Sequence, residues 1–168
     1  MNETIRLGCG AGFSSDRLGP AVDLAQRGAL DYLVFECIGE RTMAFGHRDR
    51  MLDAARGYNP QLGARLRAVL GHCRTNGTRI VTNMGVANPR AAATLAVAIA
   101  RELGLNGLKV ACVEGDDVGN LVDADTAFMD HPGTVGDVGL RMVGANVYLG
   151  IDALLPALEA GADVVIAG

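Results

Sequence analysis

Carboxylates gathered at one point of a chain are well placed to move protons or to hold a divalent cation. Glu114-Gly115-Asp116-Asp117 gathers three of them directly after the apolar run Lys109 to Val113. At a strand end, Glu114 and Asp116 could serve as general acid and base, and Asp116 with Asp117 could hold Mg²⁺ through their oxygens. Carboxylates next to glycine also make ordinary Asx turns. Gly8-Cys9-Gly10-Ala11-Gly12 follows another apolar run, so its backbone could approach an anion at the N-terminus of the next helix. Gly8, Gly10, Gly12 and Ser14 are therefore candidate phosphate ligands, set against the simpler reading of a tight strand-to-helix turn. The third glycine falls one residue short of the dinucleotide fingerprint, with Phe13 in its place.

Glu36 ends a second apolar run, where a dinucleotide-binding fold keeps an acid for a ribose hydroxyl. Its separation from Gly8 exceeds the usual spacing of about 20 residues, which argues against NAD. Asn83 and Asn146 end two further runs, and an amide there could orient a carbonyl or carboxylate. Cys9 has no histidine beside it in sequence and reads as a buried structural thiol. His47, His72 and His131 share no ligand spacing, so zinc is unsupported.

These residues need elements that bring them together. Ile5 to Gly8, Tyr32 to Glu36, Arg79 to Asn83, Lys109 to Val113, Leu140 to Tyr148 and Asp163 to Ala167 read as strands alternating with helices. Such alternation predicts a parallel sheet. Asn59-Pro60 and Asn88-Pro89 each place a capping Asn before a Pro at the first helical position, and Gly28, Gly77, Gly104 and Gly161 follow helical runs. Arg41 to Arg56 reads as a helix lying partly on the surface. Gly115 to Gly139 reads as a long excursion with a short helix around Ala124 to Met129. The expected fold is one α/β domain over residues 1–168, three-layer α/β/α with a mostly parallel, Rossmann-like sheet; part of a (β/α) barrel is the alternative.

Composition narrows the function. A chain of 168 residues that is 49% hydrophobic can bury a sizeable core, and its 4% aromatic content means a core of Ala, Val, Leu and Ile. A net charge of −4 with no basic cluster argues against nucleic acid. No apolar stretch has the length of a membrane span, no signal peptide pattern opens the chain, and the cysteines have no C-x-x-C spacing. A cytoplasmic protein with reduced thiols is expected, with a small-molecule substrate and room for homo-oligomers. The strand pattern at Val164 to Ala167 stops where an α/β protein normally hangs binding loops, which reads as a truncation.

Taken in order, Gly8-Cys9-Gly10-Ala11-Gly12-Phe13, Leu30 to Cys37 with Glu40-Arg41-Thr42, Arg79 to Gly85 with Ala87-Asn88-Pro89, Glu114 to Asp117, Ala145 to Gly150 and Gly161 to Ile166 resemble the acyclic terpene utilisation (AtuA) family over nearly the whole chain. The family's proteins are longer, so the resemblance implies an N-terminal fragment. It also implies a bacterial role in breakdown of citronellol- and geraniol-type terpenes through branched acyl-CoA thioesters, with a lyase-type step as one reading. The glycine stretch would then hold a CoA phosphate, and Glu36, Asn83, Glu114, Asp116 and Asn146 would face the acyl end. A non-catalytic CoA- or nucleotide-binding domain is the alternative.

Overall fold

The computed structural model describes residues 4–168. Its elements run β1 (Leu7–Ala11), α1 (Leu18–Arg27), β2 (Tyr32–Phe35), α2 (Glu40–Leu52), α3 (Leu62–Asn76), β3 (Arg79–Thr82), α4 (Pro89–Glu102), β4 (Val110–Val113), α5 (Val135–Val138), α6 (Leu155–Glu159) and β5 (Val164–Ala167). All five strands pair in parallel in the order β1-β2-β3-β5-β4. The expected α/β class with a parallel sheet is what forms.

Strand order decides which face each helix covers. Parallel crossovers are right-handed, so steps taken in one direction across the sheet put their helices on one face, and a reversed step uses the other. From β1 to β4 every step goes the same way, and α1, α3 and α4 share one core with Leu33, Phe35, Ile80 and Ile166. The step from β4 to β5 turns back. Its helix α6 packs on the opposite face, where Val165, Val113 and Ala162 meet Ala157 and Leu158. This third layer covers β4 and β5 and reaches Val81 of β3. Over β1 and β2 that face stays open: Leu7 is 68% exposed, Cys9 is exposed, and Val34 is half-buried. Cys9 is thus not the buried thiol expected of it, because its strand lies beyond the reach of α6.

The capping pattern holds at α4, where the Asn88 side chain accepts from the Ala91 amide at 3.2 Å and Pro89 opens the helix. At Asn59-Pro60 the structure differs. Asn59 Oδ1 accepts from the Gln61 amide in an Asx turn, and α3 starts only at Leu62. Gly77, Gly104 and Gly161 take left-handed φ of 71°, 70° and 71° after their helices, whereas Gly28 stays at −72° and Ala29 turns the chain.

Two expected elements do not form. Leu140 to Tyr148 is not a strand but a short helical turn, Gly139–Arg141, followed by irregular chain. The position between β3 and β4 is taken by β5, the outer side of β4 stays unpaired among the described residues, and Leu140 and Tyr148 point to solvent. Around Ala124 to Met129 the chain makes an antiparallel bridge, Ala127 to Thr134, rather than a helix; helix α5 follows it. β1 also sits later than expected, at Leu7–Ala11 rather than Ile5 to Gly8. Gly8 and Gly10 are strand residues whose missing side chains admit Leu30 and Phe35: a Cβ on either would lie 2.3 Å or 2.6 Å from those side chains.

Arg65 of α3 is 2% exposed, yet among the described residues no carboxylate pairs with it. Its guanidinium donates to the Ser14 and Asp16 carbonyls at 3.2 and 2.9 Å and to Cys37 Sγ at 2.9 Å, and it lies over the Phe35 ring. Those bonds satisfy a buried cation and fix the loop after β1 against α3. Burial pushes the Cys37 thiol up in pKa, against the pull of Arg65, so the group Arg65 meets is a thiol.

Cys73, buried in the α3 core, is pushed by burial from 9.0 to about 11. A pKa raised in the folded state means stability that is complete below 9.0 and lost as pH rises through about 11. Urea unfolding across that window should show a loss approaching roughly 3 kcal/mol that Cys73→Ala removes, after allowance for the other titrating groups.

Candidate functional site

In an open parallel sheet, a crevice opens at the carboxyl ends of strands whose following connections leave on opposite faces. Here α4 leaves β3 on one face and the chain after β4 crosses to the other. A cavity of about 650 Å³ lies at that point. Its walls are mainly apolar, with Met43 and Ala44 from α2, Val113 from the end of β4, and Val147, Leu149 and Leu154 from the returning excursion. Besides Glu40 and Tyr148, four polar side chains line it: His47, Asn83, Asp116 and Asn146.

Helix α2 reaches the crevice because of one glycine. A Cβ on Gly46 would stand 2.6 Å from Val86 Cγ1 and 2.9 Å from the Gly57 carbonyl oxygen, so only glycine lets α2 settle on the loop after β3. Arg50, one turn on, holds that contact by donating to the Ala87 carbonyl at 2.8 Å and to Asp117 Oδ2 at 3.4 Å. The excursion is pinned by two backbone bonds across Asp117 and Asn146, Val118 to the Ala145 carbonyl at 2.8 Å and Val147 to the Asp116 carbonyl at 2.9 Å.

These contacts bring three distant residues into a line. His47 Nε2 lies 2.6 Å from Asn146 Oδ1, and Asn146 Nδ2 donates to Asp116 Oδ2 at 2.8 Å. His47 and Asp116 are each 7% exposed. Gly144 faces the imidazole edge, and a Cβ there would sit 2.4 Å from His47 Nε2. Gly168 meets the Asp116 carboxylate in the same way.

The other candidates fall in different places. Asn83 lines the cavity with both ends of its amide engaged: Oδ1 accepts from the Cys37 amide at 2.7 Å and Nδ2 donates to Glu36 Oε1 at 3.0 Å. Glu36, also bonded to the Ile38 amide, stands behind Asn83 outside the lining. Glu114 turns away to pair with exposed Arg90 of α4. Asp116 and Asp117 point apart, one to Asn146 and the other to Arg50 and the Gly119 amide, and no group of three His, Cys, Asp or Glu side chains converges as a metal site among the described residues. At the glycine stretch the Gly12 amide is taken by Asp16 Oδ2 at 2.8 Å, the Ser14 carbonyl is taken by Arg65, and α1 begins only at Leu18. His47 had no signal in the sequence, since the residue that holds it is 99 positions away.

Fold and site together define an open parallel α/β protein with an apolar cavity at its strand ends. The chain matches the family described as acyclic terpene utilisation family protein AtuA over residues 5–168, and it belongs to that family. No match was found among curated proteins or among solved structures. No helix among the described residues is long and apolar enough to cross a membrane.

Alanine in place of an exposed helical glycine normally adds up to about 1 kcal/mol of stability. Gly71 of α3, with nothing near its Cβ position, should follow that rule on replacement by Ala. Gly46→Ala should do the opposite and lose roughly 1–3 kcal/mol through overpacking, a contrast that paired chemical-denaturation curves would measure.

Proposed function

We propose that this chain supplies the binding cavity for a branched, largely apolar small molecule, a branched acyl thioester formed in bacterial breakdown of acyclic terpenes. The observation that carries the proposal is the apolar cavity of about 650 Å³ with few polar groups. That size falls in the range of small-molecule sites, roughly 300–1,000 Å³, and membership of the acyclic terpene utilisation family is the ground on which we choose the substrate class. The acyl body would lie against Met43, Val113, Val147 and Leu154, with any polar substituent on it toward His47, Asp116 and Asn146. A catalytic role, including a lyase-type step, would fall to those side chains. Glu36 and Glu114 would contribute from the periphery, with Asn83 bracing the strand ends. A CoA phosphate at Gly8, Gly10, Gly12 and Ser14, or Mg²⁺ at Asp116 and Asp117, would require the hydrogen bonds now made by the Gly12 amide and by Asp117 to be exchanged.

A panel of branched and straight-chain acyl-CoA thioesters, with and without Mg²⁺, tests this by thermal shift and by mass spectrometry for product. A ligand at 100 times its Kd should raise the Tm by roughly 5–10 °C. Ala44→Trp places an indole in the cavity from a position on α2 that is not part of the core, and should weaken the branched ligands at least about tenfold. Binding unaffected by that substitution would remove the cavity as the site. Binding without product would leave the non-catalytic alternative.

A further inference from the structure

The line of hydrogen bonds at the cavity has a direction that its chemistry dictates. An ionised carboxylate only accepts, so the amide group that Asn146 turns to Asp116 must be its NH₂. The Asn146 carbonyl oxygen is then the atom facing His47 Nε2 at 2.6 Å, and it too can only accept. His47 must donate there, which places its proton on Nε2. In the neutral ring Nδ1 is left with a bare lone pair. That atom has no hydrogen-bond partner among the described residues, and no unpartnered side-chain nitrogen or oxygen there is sealed from solvent, so Nδ1 is solvent-accessible on a residue that lines the cavity. Gly144 leaves the space in which the Nε2 edge of the ring sits, and the bond to Asn146 holds that edge there.

We infer that Asp116 and Asn146 are positioning residues that lock the His47 tautomer, so that Nδ1 acts as the cavity's hydrogen-bond acceptor and selects ligands that carry a hydroxyl on an apolar, branched body. The inference rests on the cavity being a ligand site, and it adds the polar feature that ligand must have. A carbonyl or ether oxygen presented to Nδ1 would set one lone pair against another. A hydroxyl would donate to it, and the same nitrogen is the group to which such a hydroxyl could pass its proton.

Two measurements test this on the whole chain. In the first, ¹⁵N NMR of the histidine rings at about pH 8, where an ordinary imidazole is neutral, should show His47 protonated at Nε2 and bare at Nδ1. Asn146→Leu should release it into a mixture. A His47 ring protonated at Nδ1 in the native protein overturns the inference. In the second, citronellol and citronellal serve as probes of nearly equal size, one able to donate a hydrogen bond and one not. The alcohol should bind roughly tenfold more tightly, and His47→Phe should abolish the preference while both still bind. A preference that survives His47→Phe, or that favours the aldehyde, overturns the inference. If neither probe binds, a branched hydroxyacyl-CoA and its ketoacyl counterpart replace them as the matched pair, and the same two outcomes decide.

Discussion

The handedness of parallel crossovers is the constraint on which the rest of this structure depends. A right-twisted strand followed by a helix returns to the sheet in one sense only, so a single reversal of direction, between β4 and β5, moves the chain from one face to the other. That reversal opens the crevice at the ends of β3, β5 and β4. It also explains why one face of the sheet carries three long helices and the other only α6 and its approach. The location of the cavity thus follows from strand order before any side chain is considered.

What the crevice contains depends on short-range fits made by residues without a catalytic appearance. Gly46 sets how deeply α2 sits, Arg50 ties that helix to the Ala87 carbonyl and to Asp117, and Gly144 leaves space for the imidazole. Arg65 does comparable work near the start of α3, where its buried guanidinium is satisfied by carbonyls and a thiol instead of a carboxylate. Removing such a group leaves buried acceptors unpaired at about 1–3 kcal/mol each. The polar contents of the cavity are therefore coupled to the fold, and a change in the seat of α2 moves the histidine.

Much of the architecture was legible in the sequence because parallel strands buried by helices write themselves as short apolar runs. Tyr32, Arg79, Lys109 and Asp163 marked four of the five strands to within a residue, and Asn88-Pro89 marked the start of α4. Leu140 to Tyr148 misled because a run of apolar residues does not say whether it will pair with a strand or line a cavity, as Val143 and Val147 do here. Gly8 and Gly10 misled because glycine spacing alone cannot separate a loop that cradles an anion from a strand making room for Leu30 and Phe35. Of the candidate residues, Asn83, Asp116 and Asn146 line the cavity, and Asp116 and Asn146 meet directly. His47 was invisible because its role is created by tertiary contact with a residue far along the chain, and no local spacing encodes that.

Helix α2 and the excursion after β4 converge on one site through His47 and Asn146. A double-mutant cycle in urea with His47→Phe, Asn146→Leu and the pair measures that contact directly. The coupling energy should be about 0.5–3 kcal/mol, the range for residues in one hydrogen-bond network. Additivity of the two substitutions within about 0.3 kcal/mol, as for independent sites, would contradict it.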